Sequence, residues 1–213
     1  MGAREFLVAF GMVACMSASA ADNGQRKEAV LDGKYFRIVA SAPDFAKPPT
    51  DLFNRPGVGI AKDDTGAAWE VNFDAPLAEE RTAAIYKVRM TETTKQDKNF
   101  LPDDARGQAG FLLKTEGLDI RNAVAIEPPK VPFADATVVA YRAEGIAFDD
   151  PKHGKRVSYV VGVSFPGNKV GYAMSGSIIT PVATFDANPA KFDKGARRAF
   201  NDLVANTRVE RKK

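Results

Sequence analysis

The clearest pattern in the chain is an alternation of bulky apolar residues with small or polar residues in its second half. The alternation covers 156–165 and resumes over 169–179, on either side of Pro166-Gly167-Asn168. A period of two is typical of a strand with one buried face, and a Pro-Gly-Asn sequence between two such runs predicts a tight turn. The bulky positions are Val157, Tyr159, Val161, Val163 and Phe165 in the first run, and Val170, Tyr172, Met174, Gly176 and Ile178 in the second. We therefore predict a β-hairpin, with a further strand before it at 137–145.

The first half of the chain repeats this pattern in shorter runs. Predicted strands cover 35–40, 58–62, 67–73 and 84–91, and the Pro-rich stretch 45–54 predicts a loop with a helical turn. Most of the strands are separated by short turn sequences. About seven strands joined in this way indicate an antiparallel sheet, because parallel strands need long crossover connections.

Two helices are predicted among these strands. The C-terminal one begins at Asn188 and Pro189, since Asn is a favoured N-cap and proline is favoured in the first turn. Its apolar residues follow a 3.6-residue period and lie at Phe192, Ala196, Ala199, Phe200, Leu203 and Val204. The other helix covers 103–116 and ends at Gly117.

These elements predict the fold class. We expect an α+β protein with a single domain at 29–209. It has a mainly antiparallel sheet of about seven strands, flanked by two helices that include the C-terminal amphipathic helix.

The two ends of the chain differ from this domain in composition. Residues 6–14 form a short apolar run, and the small residues Ser17-Ala18-Ser19-Ala20-Ala21 follow it. This order is typical of a secretory signal peptide. We expect 1–20 to be removed on export, 21–28 to form a polar leader, 210–213 to form a basic tail, and the mature protein to be periplasmic. The alternative is a lipoprotein anchored at Cys15, and membrane contact is expected only in that case.

The residue types that carry most covalent and metal chemistry are scarce. Cys15 and His153 are the only cysteine and histidine, so the chain left by signal-peptide cleavage has no thiol for a nucleophile or a zinc site. The sequence contains no Gly-x-Ser-x-Gly, Ser-x-x-Lys, Walker-type or Gly-x-Gly-x-x-Gly motif. Its acidic pairs, such as Asp149-Asp150, are interpreted as turn residues. We predict no catalytic residue, no cofactor and no metal ion, and the net charge of +3 argues against a nucleic-acid partner.

The order of elements resembles a known superfamily. A strand at 137–145, the hairpin over 156–179, an amphipathic helix anchored by Phe192 and Phe200, and a final Asn206-Thr207-Arg208-Val209 are similar to the PsbP/DcrB-like superfamily of small α+β domains. The resemblance covers about 30–210. It implies an antiparallel sheet flanked by helices and an accessory or interaction role, with no catalytic residue set.

Two surfaces are candidate binding sites for a partner. The first is the face of the hairpin opposite the bulky residues, which carries Ser158, Gly162, Ser175 and Ser177 and is called the small-residue face below. Small residues let another backbone approach closely, and that backbone belongs either to one of the protein's own helices or to a partner segment. The second is the basic C-terminus with Lys194, Arg197 and Arg198. From Pro189 to Lys213 there are eight basic and three acidic residues, a net charge of +5, which favours an acidic partner or anionic headgroups.

Three functions remain open at this point. The first is a non-enzymatic exported protein-binding domain, either an inhibitor of the immunity type or an accessory protein of the cell envelope. The second is a periplasmic carrier of a small ligand or lipid, with a pocket between sheet and helices. The third is an unfamiliar hydrolase that depends on carboxylates.

Overall fold

The computed structural model of the 213-residue chain describes residues 26–51, 55–56, 67–79, 81–92, 104–147, 154–165 and 170–212. The expected signal peptide, Cys15, His153, the predicted strand at 58–62 and the Pro166-Gly167-Asn168 turn lie outside these residues.

Eleven strands and three α-helices are found in the described parts of the chain. The strands are β1 (Lys27–Asp32), β2 (Phe36–Ala42), β3 (Thr50–Asp51), β4 (Arg55–Pro56), β5 (Ala67–Pro76), β6 (Ala83–Glu92), β7 (Val124–Ile126), β8 (Thr137–Ile146), β9 (Lys155–Phe165), β10 (Val170–Thr180) and β11 (Arg208–Arg211). The helices are α1 (Ala105–Thr115), α2 (Val182–Ala187) and α3 (Pro189–Ala205), and a 3-10 turn covers Ile120–Asn122.

The strands form two antiparallel sheets. The large sheet has the order β3-β5-β6-β10-β9-β8-β7, with β4 also paired to β5, and the small sheet has the order β1-β2-β11. The predicted hairpin is confirmed, because β9 and β10 pair from Val170 opposite Phe165 to Thr180 opposite Lys155. The predicted α+β class and the antiparallel sheet are confirmed as well.

Helices cover both faces of the large sheet. On one face, the bulky residues of β9 and β10 share the main core with Phe192, Phe200 and Leu203 of α3. On the other face, Leu112 and Leu113 of α1 lie in a second cluster with residues of β8, β9 and β10. The central hairpin is therefore buried on both sides, and its alternation separates a bulky face under α3 from a small-residue face under α1.

A glycine in the sheet lies under each helix. A Cβ atom built on Gly176 would be 2.1 Å from the backbone nitrogen of Phe200, and one on Gly162 would be 2.0 Å from the carbonyl oxygen of Ala105. Neither distance is compatible with a side chain. Both helices consequently approach the sheet through backbone contacts at these positions.

The small sheet lies on the same side of the large sheet as α3. Phe36 of β2 stacks on Phe165 of β9 with their ring centroids 4.4 Å apart. The Glu92 carboxylate, at the end of β6, accepts hydrogen bonds from the backbone N–H groups of Lys34, Tyr35 and Phe36 at 2.6, 2.9 and 3.1 Å. One buried carboxylate thus holds the turn between β1 and β2 against the large sheet.

Helix boundaries agree closely with the sequence prediction. The Asn188 side chain accepts a hydrogen bond from the N–H of Lys191 at 3.2 Å, and Pro189 is the first residue of α3. The Asp104 side chain accepts one from the N–H of Arg106 at 3.0 Å and begins α1.

Several short elements were not predicted. The end of the expected polar leader belongs to β1, which begins at Lys27 and pairs with β2 over six residues. The first two residues of the expected basic tail, Glu210 and Arg211, belong to β11 and pair with β2. Together with β3, β4 and β7, these segments raise the strand count of the described residues above the predicted seven. No helix among the described residues combines the length and apolarity that crossing a bilayer requires.

Candidate functional site

The small-residue face is covered by α1. Ser158, Ser175 and Ser177 have no exposed surface, and Gly162 lies directly beneath the first turn of α1. Of the two interpretations left open by the sequence, the structure therefore contains the internal one, in which the close backbone belongs to the protein itself. These four residues are not available at the surface to a partner segment.

The layer between α1 and the sheet is unusually polar. Glu70 of β5 receives a hydrogen bond from the guanidinium group of Arg89 of β6 at 2.8 Å, and the Nζ of Lys87 lies 3.7 Å from its other oxygen. Glu116, just after α1, accepts a hydrogen bond from the Ser175 hydroxyl, and its backbone carbonyl accepts one from Arg156 at 2.6 Å. Burial lowers the pKa of both Arg89 and Arg156, although nearby Glu70 and Glu116 act in the opposite direction.

Many of the C-terminal basic residues already have acidic partners. Lys191 pairs with Glu79, and Arg211 and Lys212 pair with Asp135 and Asp32, each at 2.8 Å. The predicted binding residues Lys194, Arg197 and Arg198 are exposed on α3 and make no ion pair with any described residue. They are thus the free part of the positive charge on this helix.

Two of these three residues line a cleft between α3 and the sheet. The cleft has a volume of about 610 Å³, within the range of about 300–1,000 Å³ typical of ligand sites. Its helix wall is formed by Lys191, Phe192, Lys194, Gly195, Arg198 and Ala199. Its floor is formed by Ala84, Tyr86 and Ile178, and the opposite wall by Pro43, Phe45, Leu77 and Ala78. Arg197 is not among the lining residues.

An ion pair joins α3 to the opposite wall at each end of the cleft. Near its beginning, Lys191 contacts Glu79 of the turn between β5 and β6. Near its end, Asp202 contacts Arg26, just before β1, at 2.9 Å. All four residues line the cleft. The eleven helical steps from 191 to 202 give a cleft length of about 16 Å.

The floor is apolar and buried, and the rim is cationic. Ala84, Tyr86, Ile178, Phe192 and Ala199 are each at most 5% exposed. Lys194 and Arg198, one turn apart on α3, lie at the rim and are exposed. Like charges at this spacing repel each other, so an anion placed between them would be stabilised.

Tyr86 is the polar residue of the floor. Burial, together with the nearby Asp202 carboxylate, raises the pKa of Tyr86 to about 12, while Arg26 and Arg198 act in the opposite direction. The phenol consequently stays protonated at neutral pH. It keeps an O–H donor within an otherwise apolar surface.

The sequence indicated the cationic rim but not the rest of the cleft. Phe45 lies in a loop predicted only as Pro-rich, and Leu77 and Ala78 lie in a turn between two strands. Since these residues are more than a hundred positions from α3 in the chain, no local pattern connects them to it. One signal was present: Phe45 is a bulky apolar residue in a polar loop, and it is 56% exposed on the wall of the cleft.

No three His, Cys, Asp or Glu side chains in the described part of the chain come together as a metal-binding group. Comparison of the chain with protein-family models and with curated proteins found no match to either.

Proposed function

We propose that this protein is an exported, non-enzymatic binding protein that carries a small ligand in the cleft between α3 and the large sheet. The observation that carries the proposal is the buried apolar floor of a cleft of about 610 Å³. A concave apolar site with a few polar groups at its edge is the usual form of a small-molecule site. This proposal favours the carrier of a small ligand or lipid over the protein-binding domain and the hydrolase.

The chemistry of the lining supports binding rather than turnover. Among the described residues, those that line the cleft include no His, Cys or Ser. Its two carboxylates, Glu79 and Asp202, are each held by a cation across the cleft. A carboxylate whose oxygens are engaged by a cation in this way is not positioned to accept a proton from a ligand.

The test is retention of a ligand that depends on the shape of the cleft. Gly195 lines the cleft, and a Cβ atom built on it would be 3.5 Å from the Ile178 side chain, which is ordinary contact. Gly195→Phe should therefore fill the cleft, whereas Gly195→Ala should leave most of it open and serves as the matched control.

The protein is expressed with its own N-terminal segment, purified without denaturation and examined by native mass spectrometry. We expect the parent and the Gly195→Ala variant to retain a small molecule that the Gly195→Phe variant lacks. Finding the same bound mass in all three proteins, or no ligand in any of them even after incubation with a lipid extract, would contradict the proposal.

A protein partner is the second candidate, because the cleft is partly open to solvent. Phe45 presents an exposed ring on one wall, and α3 offers Lys194, Arg197 and Arg198 without acidic partners among the described residues. An aromatic residue next to free cations is typical of protein interfaces. Capture of one stoichiometric protein from envelope extract, lost on Phe45→Ala, would favour this function over the carrier.

A further inference from the structure

The cleft contains an unbalanced positive charge at a defined place. Of the charged residues that line it, Lys191 and Arg26 are paired with Glu79 and Asp202. Lys194 and Arg198 remain on the rim without an ion pair to any described residue. The net charge of the cleft lining is therefore positive. The two uncompensated cations lie between the two end pairs.

The length of the floor sets the size of the apolar part of a ligand. The cleft extends about 16 Å between its two end pairs. Half the hydrocarbon core of a bilayer, the depth filled by one layer of acyl chains, is about 15 Å. A chain of that length matches the extent of the cleft. Because Lys194 and Arg198 lie near its middle, about 8 Å in helix rise from either end pair, a chain whose head they hold must turn at one end and return along the floor.

We propose that the ligand is a single-chain anionic amphiphile, with its acidic head held by Lys194 and Arg198 and its chain along the floor formed by Ala84, Tyr86 and Ile178. This inference rests on the proposed carrier function and names the ligand class for the same cleft. A guanidinium group binds carboxylate and phosphate oxygens in pairs, and an ammonium group adds a compact charge beside it. Both head chemistries fit, and they are separated by the test.

The ion pairs at the two ends favour this occupant over a segment of a protein chain. A segment from the middle of a partner would have to enter and leave through the positions of the end pairs. A molecule with one chain and one head has no such requirement, because its head leaves the cleft sideways across the rim between Lys194 and Arg198.

The experiment compares four compounds that share a twelve-carbon chain: dodecanoate, dodecyl phosphate, dodecanol and dodecyltrimethylammonium. Binding to the full chain is measured by isothermal titration calorimetry below the micelle concentration of each compound. We expect one site per protein, with at least one of the two anions binding ten times or more tightly than the alcohol, and the cation binding most weakly. The anion that binds more tightly shows whether the head of the ligand is a carboxylate or a phosphate.

Two further comparisons locate the head and the chain. Replacing Lys194 and Arg198 together by Gln should weaken anion binding tenfold or more and leave dodecanol unaffected. Arg197→Gln, a charge loss on the same helix outside the cleft, should change neither. Shortening the chain from twelve to ten carbons should weaken binding by about fourfold per methylene. Thermal unfolding of each variant shows that the fold is retained.

The outcomes separate the two proposals. If dodecanol binds as tightly as both anions, and Gly195→Phe abolishes binding of all three, the carrier function stands and the anionic head is wrong. If Arg197→Gln weakens anion binding as much as the double variant, the anion lies on the outer face of α3 and this inference is overturned. If Gly195→Phe affects no compound, both proposals fail.

Discussion

Removing Glu70 should destabilise the protein far more than removing the two residues of its ion pair together. Glu70 and Arg89 are direct neighbours across β5 and β6, are each 2% exposed, and are joined at 2.8 Å. Loss of one partner of a buried pair leaves an uncompensated charge and costs about 3–5 kcal/mol. Replacement of both by apolar residues of similar size should recover much of this loss, because the desolvation penalty of the two charges disappears with them, while Lys87 keeps its hydrogen bond to the Thr115 hydroxyl at 3.0 Å.

The structure also predicts which single change costs more. Glu70→Leu removes the carboxylate that two buried cations share, namely Arg89 and the Lys87 ammonium group 3.7 Å away. Arg89→Met leaves Glu70 with Lys87 as a remaining partner. We expect Glu70→Leu near the upper end of the range, about 5 kcal/mol, and Arg89→Met near the lower end, about 3 kcal/mol. Either is a large part of the total stability of a domain, which is about 5–15 kcal/mol.

Urea unfolding followed by the fluorescence of Trp69 measures these free energies, since Trp69 is the only tryptophan of the chain and is 9% exposed in β5. The double variant Glu70→Leu/Arg89→Met completes the cycle. Arg121→Ala, which breaks the exposed pair with Asp119, is the control and should change stability far less than either core variant. A double variant as unstable as the sum of the two single variants would refute the reasoning, because it would show that the two charges stabilise the fold independently.

Three further predictions concern other parts of the molecule. Gly162→Ala should destabilise the protein and loosen α1, because the new Cβ would lie 2.0 Å from the carbonyl oxygen of Ala105. Gly195→Ala should stabilise the protein by about 0.5–1 kcal/mol, because alanine has a higher helix propensity than glycine. Thermal unfolding of the two variants compares these effects. Arg211→Ala should increase hydrogen exchange of the β11 amides, since the guanidinium group lies 5.2–5.6 Å from three phenylalanine rings and pairs with Asp135. Hydrogen bonds from Arg121 hold the pKa of Asp119 at about 2, below its ordinary 3.8. The contribution of this ion pair to folding stability is therefore complete above about pH 4 and is lost as the pH falls towards 2. The stability–pH curves of the parent and of Arg121→Ala should differ by a small, constant amount above about pH 4 and converge as the pH falls towards 2.

The sequence was sufficient for the elements whose pattern is local. The hairpin of β9 and β10 has a period of two over more than ten residues on each side, and α3 has an Asn-Pro start and a 3.6-residue stripe, so both were predicted correctly. Short strands carry no such pattern. The position of β11 is set by its hydrogen bonds to β2 and by the contact of Arg211 with three phenylalanine rings. Those partners are up to 175 residues away in the chain.

The candidate site was predictable only in part for the same reason. Lys194 and Arg198 could be identified because they belong to the concentration of basic residues between Pro189 and Lys213. The sequence could not show that Arg197 lies outside the cleft while Lys194 and Arg198 line it, since this depends on the direction in which α3 crosses the sheet. The small residues of β9 and β10 were identified correctly as a place of close backbone approach, but the sequence alone left open that α1 supplies this backbone.

The cleft itself follows from how α3 meets the sheet. At Gly176 the helix backbone lies almost against β10, because no Cβ intervenes below Phe200. Five residues earlier, at Gly195, the nearest atoms across the gap belong to the Ile178 side chain at 3.5 Å from a built Cβ. The backbone of α3 is therefore in contact with the sheet at Gly176, whereas at Gly195 side chains separate the two. The space between them widens towards the N-terminal half of α3. The apolar surface that the cleft does leave exposed, above all Phe45 at 56%, is a cost to the fold that a bound chain would remove. On the opposite face, α1 lies with its backbone against Gly162 at its first turn, and Ser158, Ser175 and Ser177 beneath it are fully buried.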